Sequence, residues 1–125
     1  MRLLFIAFMI LLASTALAKH KHPERHYQDN FCDKANGIKE FILPDRARVD
    51  CLTEDMAIEV DFAPKWAESI GQALYYASMT GKKPAVLLIL EDEQDNIYVQ
   101  RFNTANHERN LGITLFILED YGEEQ

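Results

Sequence analysis

Apolar and polar side chains alternate along three short stretches in the middle of the chain. A period of two is typical of strands that bury one face. We therefore predict strands over residues 37–43, 48–52 and 57–62. The link between the last two, residues 53–55, is short and polar, so we expect the strands to pair in chain order as an antiparallel meander.

Two stretches that flank these strands have the spacing of helices instead. Residues 24–36 carry apolar side chains four residues apart and end at an Asn-Gly stop signal. Residues 64–80 begin at Pro64, which suits a first helical turn, and stop before Gly81. The apolar stripe of this second helix contains Trp66, Ile70, Ala73, Leu74 and Ala77.

The C-terminal part of the chain adds further strands and a short helix. Residues 85–90 (AVLLIL) form an unbroken apolar run, which predicts a strand buried on both faces in a parallel arrangement. We interpret residues 97–102 as another strand-like segment, residues 104–110 as a short helix and residues 113–118 as the last strand. The pattern predicts one α/β domain over residues 19–125, with a central mixed sheet flanked by helices.

Residues 1–18 have the pattern of a cleavable signal peptide. Arg2 precedes an apolar run of about eleven residues, shorter than the roughly 20 that a membrane-spanning helix needs. The segment STALA ends at Ala18 in a small-x-small cleavage site. We therefore expect cleavage after Ala18, a secreted or periplasmic protein and no membrane association afterwards. A retained membrane anchor is the alternative.

The mature chain would begin with a histidine-rich segment, residues 19–26 (KHKHPERH). We expect this segment to be flexible, because new N-termini usually are. Binding of Zn²⁺ or Cu²⁺ by its histidines is the alternative interpretation.

Charge and cysteine content narrow the functional classes. The formal net charge of −7 opposes nucleic-acid binding by the whole surface, so such binding requires a local basic patch. Cys32 and Cys51 are the two cysteines of a chain that we expect to be exported, which favours a disulfide over two buried free thiols. The chain has no phosphate-binding glycine loop and no HExxH or GxSxG motif.

Acidic residues within the predicted strands are the main candidates for chemistry. Glu59 and Asp61 share one face of their strand, opposite its apolar face. Glu40 and Asp50 lie on the two preceding strands. In a meander these four carboxylates converge and raise one another's pKa values, a cost that Mg²⁺ or Mn²⁺ would relieve. Such a metal polarises a phosphodiester bond, and Lys65 is the nearest cation for the charge that develops on the phosphate.

These residues, in this order, resemble the motif of the PD-(D/E)xK nuclease superfamily. That family has a leading acidic residue, then Asp, then an (Asp/Glu)-x-Lys triplet, and the corresponding positions here are Glu40, Asp50 and residues 59–61. Gln72 and Tyr76 on the following helix also resemble the Q-x-x-x-Y motif of the RecB-type branch. In that branch the two side chains lie near the active site, so Gln72 and Tyr76 would position the substrate.

The resemblance implies a restriction endonuclease-like αβββαβ core that hydrolyses DNA or RNA with Mg²⁺ or Mn²⁺. Asp50 and Glu59 would then be the catalytic metal ligands, and Glu40 an accessory ligand. Asp61 would be a further ligand or would orient the attacking water. Lys65 would stabilise the charge on the phosphate.

One position departs from the family. The family's triplet ends in Lys, and this chain has Asp61 there. Either Lys65 supplies the amine from the start of the following helix, or the domain is an inactive member that binds nucleic acid or a protein. The resemblance covers about residues 24–90. Because so small a domain offers little surface for recognition, a homodimer is a further expectation.

Overall fold

The computed structural model describes residues 20–122, so the predicted signal peptide lies outside the described residues. One sheet contains five strands: β1 (Ile38–Ile42), β2 (Arg48–Leu52), β3 (Met56–Phe62), β4 (Lys83–Leu90) and β5 (Thr114–Glu119). They lie in the order β1-β2-β3-β4-β5. The first three pair antiparallel, whereas β3, β4 and β5 run parallel.

Three helices flank the sheet: α1 (Glu24–Lys34), α2 (Trp66–Thr80) and α3 (Asn96–Glu108). The predicted α/β architecture with a mixed sheet between helices is confirmed. The antiparallel meander and the parallel placement of β4 are confirmed as well. Within residues 20–122, no helix is long and apolar enough to cross a membrane.

The two faces of the sheet bury separate apolar clusters. On one face, α1 packs against β3 and β4 in a cluster that contains Tyr27, Cys32, Ile58, Val60, Phe62, Ala85, Leu87 and Ile89. On the other face, α2 and α3 pack against β4 in a cluster that contains Ala73, Val86, Leu88, Leu90, Val99 and Phe102. Alternate β4 side chains thus enter different clusters, which explains why its apolar run is unbroken. Each fully buried aliphatic side chain contributes about 1.5–3 kcal/mol.

Helix α2 stops where the sequence predicts. Its C-cap is Gly81, whose φ of 70° lies in the left-handed region that glycine adopts without strain. The Gly81 N–H donates to the Ala77 carbonyl, so one of the last carbonyls of the helix is satisfied. At the other end, Pro64 lies in a short 3₁₀ turn, Ala63–Lys65, directly before the helix.

The predicted strand over residues 97–102 is wrong, because this segment belongs to α3. The helix predicted over residues 104–110 is the C-terminal part of α3, which ends at Glu108. This helix buries Val99, Phe102 and Asn106, which are three and four residues apart. That spacing is helical. The β-branched and aromatic composition of the segment, which is typical of strands, misled the prediction.

A disulfide joins Cys32 of α1 to Cys51 of β2, with the two Cα atoms 5.6 Å apart, and confirms the predicted pairing. Both cysteines are fully buried. A Cβ atom added to Gly37 would lie 2.4 Å from Cys51 Sγ and 2.7 Å from Cys32 Sγ. The bridge therefore ties α1 to the strand that carries Asp50, and it requires glycine at position 37.

The first described residues contact the ends of the parallel strands. The His20 ring stacks on Phe62 with ring centroids 3.7 Å apart, and its Nδ1 lies 2.5 Å from a carboxylate oxygen of Glu91. The Lys21 main-chain N–H donates to the other Glu91 oxygen. These contacts involve part of the histidine-rich segment that we expect to be flexible.

Candidate active site

Three carboxyl groups meet beside α2, where β2 and β3 separate. Asp50 comes from β2, and Glu59 and Asp61 come from β3. Glu59 and Asp61 are each only 5% exposed, and Asp50 is half-buried. The alternation of β3 explains this placement, because the intervening Val60 packs in the core beneath α1.

The separation of the two strands has a local cause. The last backbone-paired residues are Cys51 and Ile58. Just beyond this pair, the Asp50 Oδ2 atom accepts a hydrogen bond of 2.8 Å from the Val60 N–H. A side-chain carboxylate therefore takes the place of a main-chain carbonyl, and the strands open where the carboxyl groups gather.

Hydrogen bonds between carboxyl groups link these residues. Glu59 is hydrogen-bonded to both Asp50 and Asp61. Glu24, in the first turn of α1, is hydrogen-bonded to Asp61. Such bonds form only when one of the two groups is protonated and donates. We call Glu24, Asp50, Glu59 and Asp61 the carboxylate cluster; Glu59 and Glu24 are its donors.

Glu59 has the highest pKa in the carboxylate cluster. Burial first, then the charge of Asp50 and the hydrogen bond to it, and then Asp61 together raise the pKa of Glu59 to about 11. Glu59 is therefore protonated at neutral pH. When it is ionised, its buried Oε2 atom has no hydrogen-bond partner within residues 20–122. A proton on Glu59 turns the same close contacts into hydrogen bonds and removes that cost.

The outer members of the cluster titrate nearer neutrality. Burial raises the pKa of Asp61 to about 6, although the positive charge of Lys65 opposes the rise. Burial and then the charge of Asp61 raise the pKa of Glu24 to about 7. Carboxyl groups whose pKa values are raised towards neutrality are more common at functional sites than elsewhere in proteins.

Sequence reasoning did not find Glu24. It follows Pro23 at the start of α1, where acidic residues commonly interact with the helix dipole. Nothing in the local sequence distinguishes it from such a residue. The resemblance to the nuclease family was the one available signal, because that family has its leading acidic residue on the first helix or the first strand.

The other predicted residues surround the cluster to different degrees. Lys65 is exposed at the start of α2, close enough for its charge to act on Asp61. Tyr76 is 7% exposed, and burial followed by the charge of Glu59 raises its pKa. Gln72, one helical turn before Tyr76, is exposed to solvent.

Glu40 lies near the cluster but is not bonded to it. Its Oε1 atom lies 3.1 Å from Arg25 Nη1 and accepts a hydrogen bond of 3.3 Å from Gln28 Nε2. Its Oε2 atom faces Arg48 at 3.9 Å. The structure therefore brings Asp50, Glu59 and Asp61 together, and it pairs Glu40 with arginines at the border of the site.

The chemistry of the cluster suits a hard divalent cation. All its ligand atoms are carboxylate oxygens, which Mg²⁺ and Mn²⁺ prefer. Once Glu59 loses its proton, its Oε2 atom has no hydrogen-bond partner within residues 20–122 and would be free to bind a cation. Within residues 20–122, no group of three or more His, Cys, Asp or Glu side chains already has the geometry of a metal site. A cation would therefore have to displace the Glu59 proton and draw the carboxylates together.

No protein-family model, curated protein or solved structure matches the chain. The geometry of the carboxylate cluster is therefore the basis for assigning a function.

Proposed function

We propose that this domain is an exported, metal-dependent nuclease that hydrolyses phosphodiester bonds of DNA or RNA. The observation that carries the proposal is the burial of Glu59 and Asp61, each 5% exposed, beside Asp50 where β2 and β3 separate, with no hydrogen-bond partner for Glu59 Oε2 within residues 20–122. Burying three carboxyl groups together costs stability unless they share protons or bind a cation. Such a costly arrangement is expected at functional sites rather than in a structural core.

Asp50, Glu59 and Asp61 would hold Mg²⁺ or Mn²⁺, with Glu24 as a further ligand. When bound, the metal would polarise the phosphodiester and lower the pKa of a water molecule. Lys65 is exposed beside Asp61 and would stabilise the negative charge that develops on the phosphate.

The aromatic and amide side chains of α2 complete the site. Tyr76 is buried among the apolar residues Leu43, Val49 and Ala57, so it excludes water from one side of the cluster. Low local polarity strengthens the electrostatic interactions in the site. Gln72 is exposed one turn earlier on α2, where it would contact the substrate.

The order of elements supports the same proposal. From α1 to β4 the chain follows α-β-β-β-α-β, the order that the resemblance to the PD-(D/E)xK superfamily implies. Glu24 on the first helix would then be the leading acidic residue of that motif, in place of Glu40. The disulfide supports export, because disulfides persist in oxidising compartments.

Cleavage assays test the proposal directly. The purified mature protein is incubated with plasmid, linear duplex DNA, single-stranded DNA and RNA in Mg²⁺, Mn²⁺ or EDTA. We expect metal-dependent cleavage that falls by about 100-fold or more in Asp50→Asn and in Glu59→Gln. Asp33→Asn, which removes one exposed carboxylate near the C-terminal end of α1, the opposite end from Glu24, is the matched control. Cleavage that persists equally in all three variants would sink the assignment.

A second candidate is an inactive member of the same fold that binds nucleic acid or a protein. Asp61 favours it, because the family's lysine is absent and the carboxylate is hydrogen-bonded to Glu59 and Glu24. Calorimetry separates the two candidates. Millimolar Mn²⁺ that binds wild type but not Glu59→Gln supports the enzyme, whereas no binding to wild type supports the binding module.

A further inference from the structure

Glu40 has an unusual backbone conformation for a strand residue. Its φ is 52°, in the left-handed region, although it lies in the middle of β1. Its neighbours Lys39 and Phe41 pair with Cys51 and Val49 of β2, and Glu40 is skipped. A non-glycine residue in this conformation is strained, because its Cβ atom crowds the following carbonyl oxygen. Strain of this kind persists only where surrounding contacts enforce it, and it is concentrated at functional sites.

The contacts that enforce the conformation come from α1. Gln28, only 2% exposed, donates from Nε2 to the Asp50 carbonyl at 3.0 Å and to Glu40 Oε1 at 3.3 Å. The amide therefore replaces the missing ladder bond opposite Glu40. It also fixes the direction of the Glu40 carboxylate.

That carboxylate lies between two guanidinium groups. Its Oε1 atom is 3.1 Å from Arg25 Nη1, and its Oε2 atom is 3.9 Å from Arg48 Nε. The arginine side chains are 59% and 63% exposed, whereas that of Glu40 is 25% exposed. Exposed ion pairs contribute little to stability, because water screens the two charges. These two pairs alone do not explain why the chain accepts the strain at Glu40.

The arginines border the carboxylate cluster. Arg25 directly follows Glu24 on α1, and Arg48 precedes Asp50 by two residues on β2. Lys65, at the start of α2, is close enough for its charge to lower the pKa of Asp61. A nucleic-acid strand whose scissile phosphate lies at the cluster would therefore have a neighbouring phosphate within reach of Arg25 and Arg48.

We propose that Arg25 and Arg48 form a binding subsite for a backbone phosphate of the nucleic-acid substrate, and that Glu40 occupies this subsite when substrate is absent. A carboxylate and a phosphodiester each present two oxygens that share one negative charge, the group that guanidinium forks recognise. Glu40 pairs with Arg25, whose Nε atom also lies 3.2 Å from Asp29 Oδ1, and the incoming phosphate displaces Glu40. This inference rests on the proposed nuclease function and extends it to substrate binding.

Oligonucleotide binding tests the subsite without catalysis. Fluorescence anisotropy measures the affinity for labelled single-stranded and duplex DNA in EDTA, where no metal supports cleavage, over a series of NaCl concentrations. We expect Glu40→Gln to bind about fivefold more tightly, because the phosphate no longer competes with a carboxylate. Arg48→Gln should bind more weakly, and its slope of log K against log salt should be shallower by about one contact.

Asp33→Asn is the matched control for Glu40→Gln. It removes the same single charge from an exposed ion pair, with Lys39 at 2.9 Å, so the net charge of the two variants is equal. Its affinity and salt slope should remain those of wild type. Equal tightening in both variants would show a net-charge effect and overturn the subsite.

Two further experiments distinguish the phosphate subsite from a site for free phosphate and from the proposed nuclease function. Inorganic phosphate, added at the same total phosphate concentration as the oligonucleotide, should fail to displace it; displacement would mean a site for free phosphate and would overturn the backbone assignment. Cleavage assays are run in parallel. Cleavage that depends on Asp50 together with unchanged binding by Arg48→Gln overturns the subsite alone. Arg48-dependent binding without any cleavage supports the subsite and overturns the nuclease.

Discussion

The Asp50 carboxylate accepts a hydrogen bond of 2.8 Å from the Val60 main-chain N–H, just beyond the last backbone pair of β2 and β3. This one contact contributes both to the fold and to the candidate site. It satisfies a main-chain donor that the strands no longer pair, and it fixes Asp50 beside Glu59. Asp50 therefore has a structural role that is separable from its proposed metal ligation.

Two substitutions of Asp50 should separate these roles. In Asp50→Ala the buried Val60 N–H loses its acceptor, so we expect the free energy of unfolding to fall by about 1–3 kcal/mol. Asp50→Asn keeps an acceptor oxygen and should remain close to wild type in stability while losing nuclease activity. Urea unfolding followed by circular dichroism measures both. Equal stability of the two variants would contradict the structural role.

Without metal, the protein should lose stability as the pH rises from about 4.5 to 8. In the folded state the pKa values of Glu59, Glu24 and Asp61 are raised to about 11, 7 and 6, whereas in the unfolded chain they are about 4. The folded state therefore binds more protons than the unfolded state in this range, and its free energy of unfolding falls as the pH rises. Urea unfolding in EDTA at several pH values measures the slope.

Glu59→Gln is the control for this slope. Its amide is neutral at every pH and still donates to the neighbouring carboxylates, so its stability should depend less steeply on pH. Hydrogen bonds from tyrosines lower the pKa values of Asp45 and Asp120, which affects stability only below about pH 4. If the free energy of unfolding of Glu59→Gln depended on pH as steeply as that of wild type, Glu59 would have to be ionised at neutral pH in the folded protein.

The parts of this fold that were predictable depend on local signals. The alternation of apolar and acidic side chains along β3 identified both its core face and its carboxylate face. Pro64 lies just before the helix that follows, and Gly81 lies at its end. The meeting of Asp50 and Glu59 followed from the pairing of consecutive strands. Each of these inferences needs only residue spacing or a turn residue with a fixed backbone preference.

The parts that were not predictable depend on tertiary packing. Glu24 joins the site because α1 lies across the sheet with its first turn at Asp61, a placement with no local signature. The left-handed conformation of Glu40 arises from its contacts with α1, and no strand pattern indicates it. In α3, composition and periodicity disagreed, and packing against Leu88 and its neighbours on β4 favoured the helix.

Gly37→Ala should destabilise the oxidised protein by about 1–3 kcal/mol, because the added methyl group would overlap both sulfur atoms of the disulfide. Removing the bridge with Cys32→Ala and Cys51→Ala should itself cost about 3 kcal/mol, given the chain length that it closes. In that background the clash is gone, so Gly37→Ala should have little further effect. Thermal unfolding of wild type, Gly37→Ala, the double cysteine variant and the triple variant measures these losses of stability. If the losses of Gly37→Ala and of the double cysteine variant simply added in the triple variant, the contact between residue 37 and the disulfide would be contradicted.

At position 40, glycine should be more stable than alanine, the reverse of the usual order in strands. Both Glu40→Gly and Glu40→Ala remove the contacts with Arg25 and Gln28, so their difference isolates the backbone. Glycine adopts a φ of 52° without strain, and we expect it to favour the folded state by about 1 kcal/mol. Lys39→Gly and Lys39→Ala are the control pair, because Lys39 is regularly paired with Cys51. There glycine should be the less stable by about 0.5–1 kcal/mol. Urea midpoints of the four variants measure both differences, and the same order at both positions would show that Glu40 has ordinary strand geometry in solution.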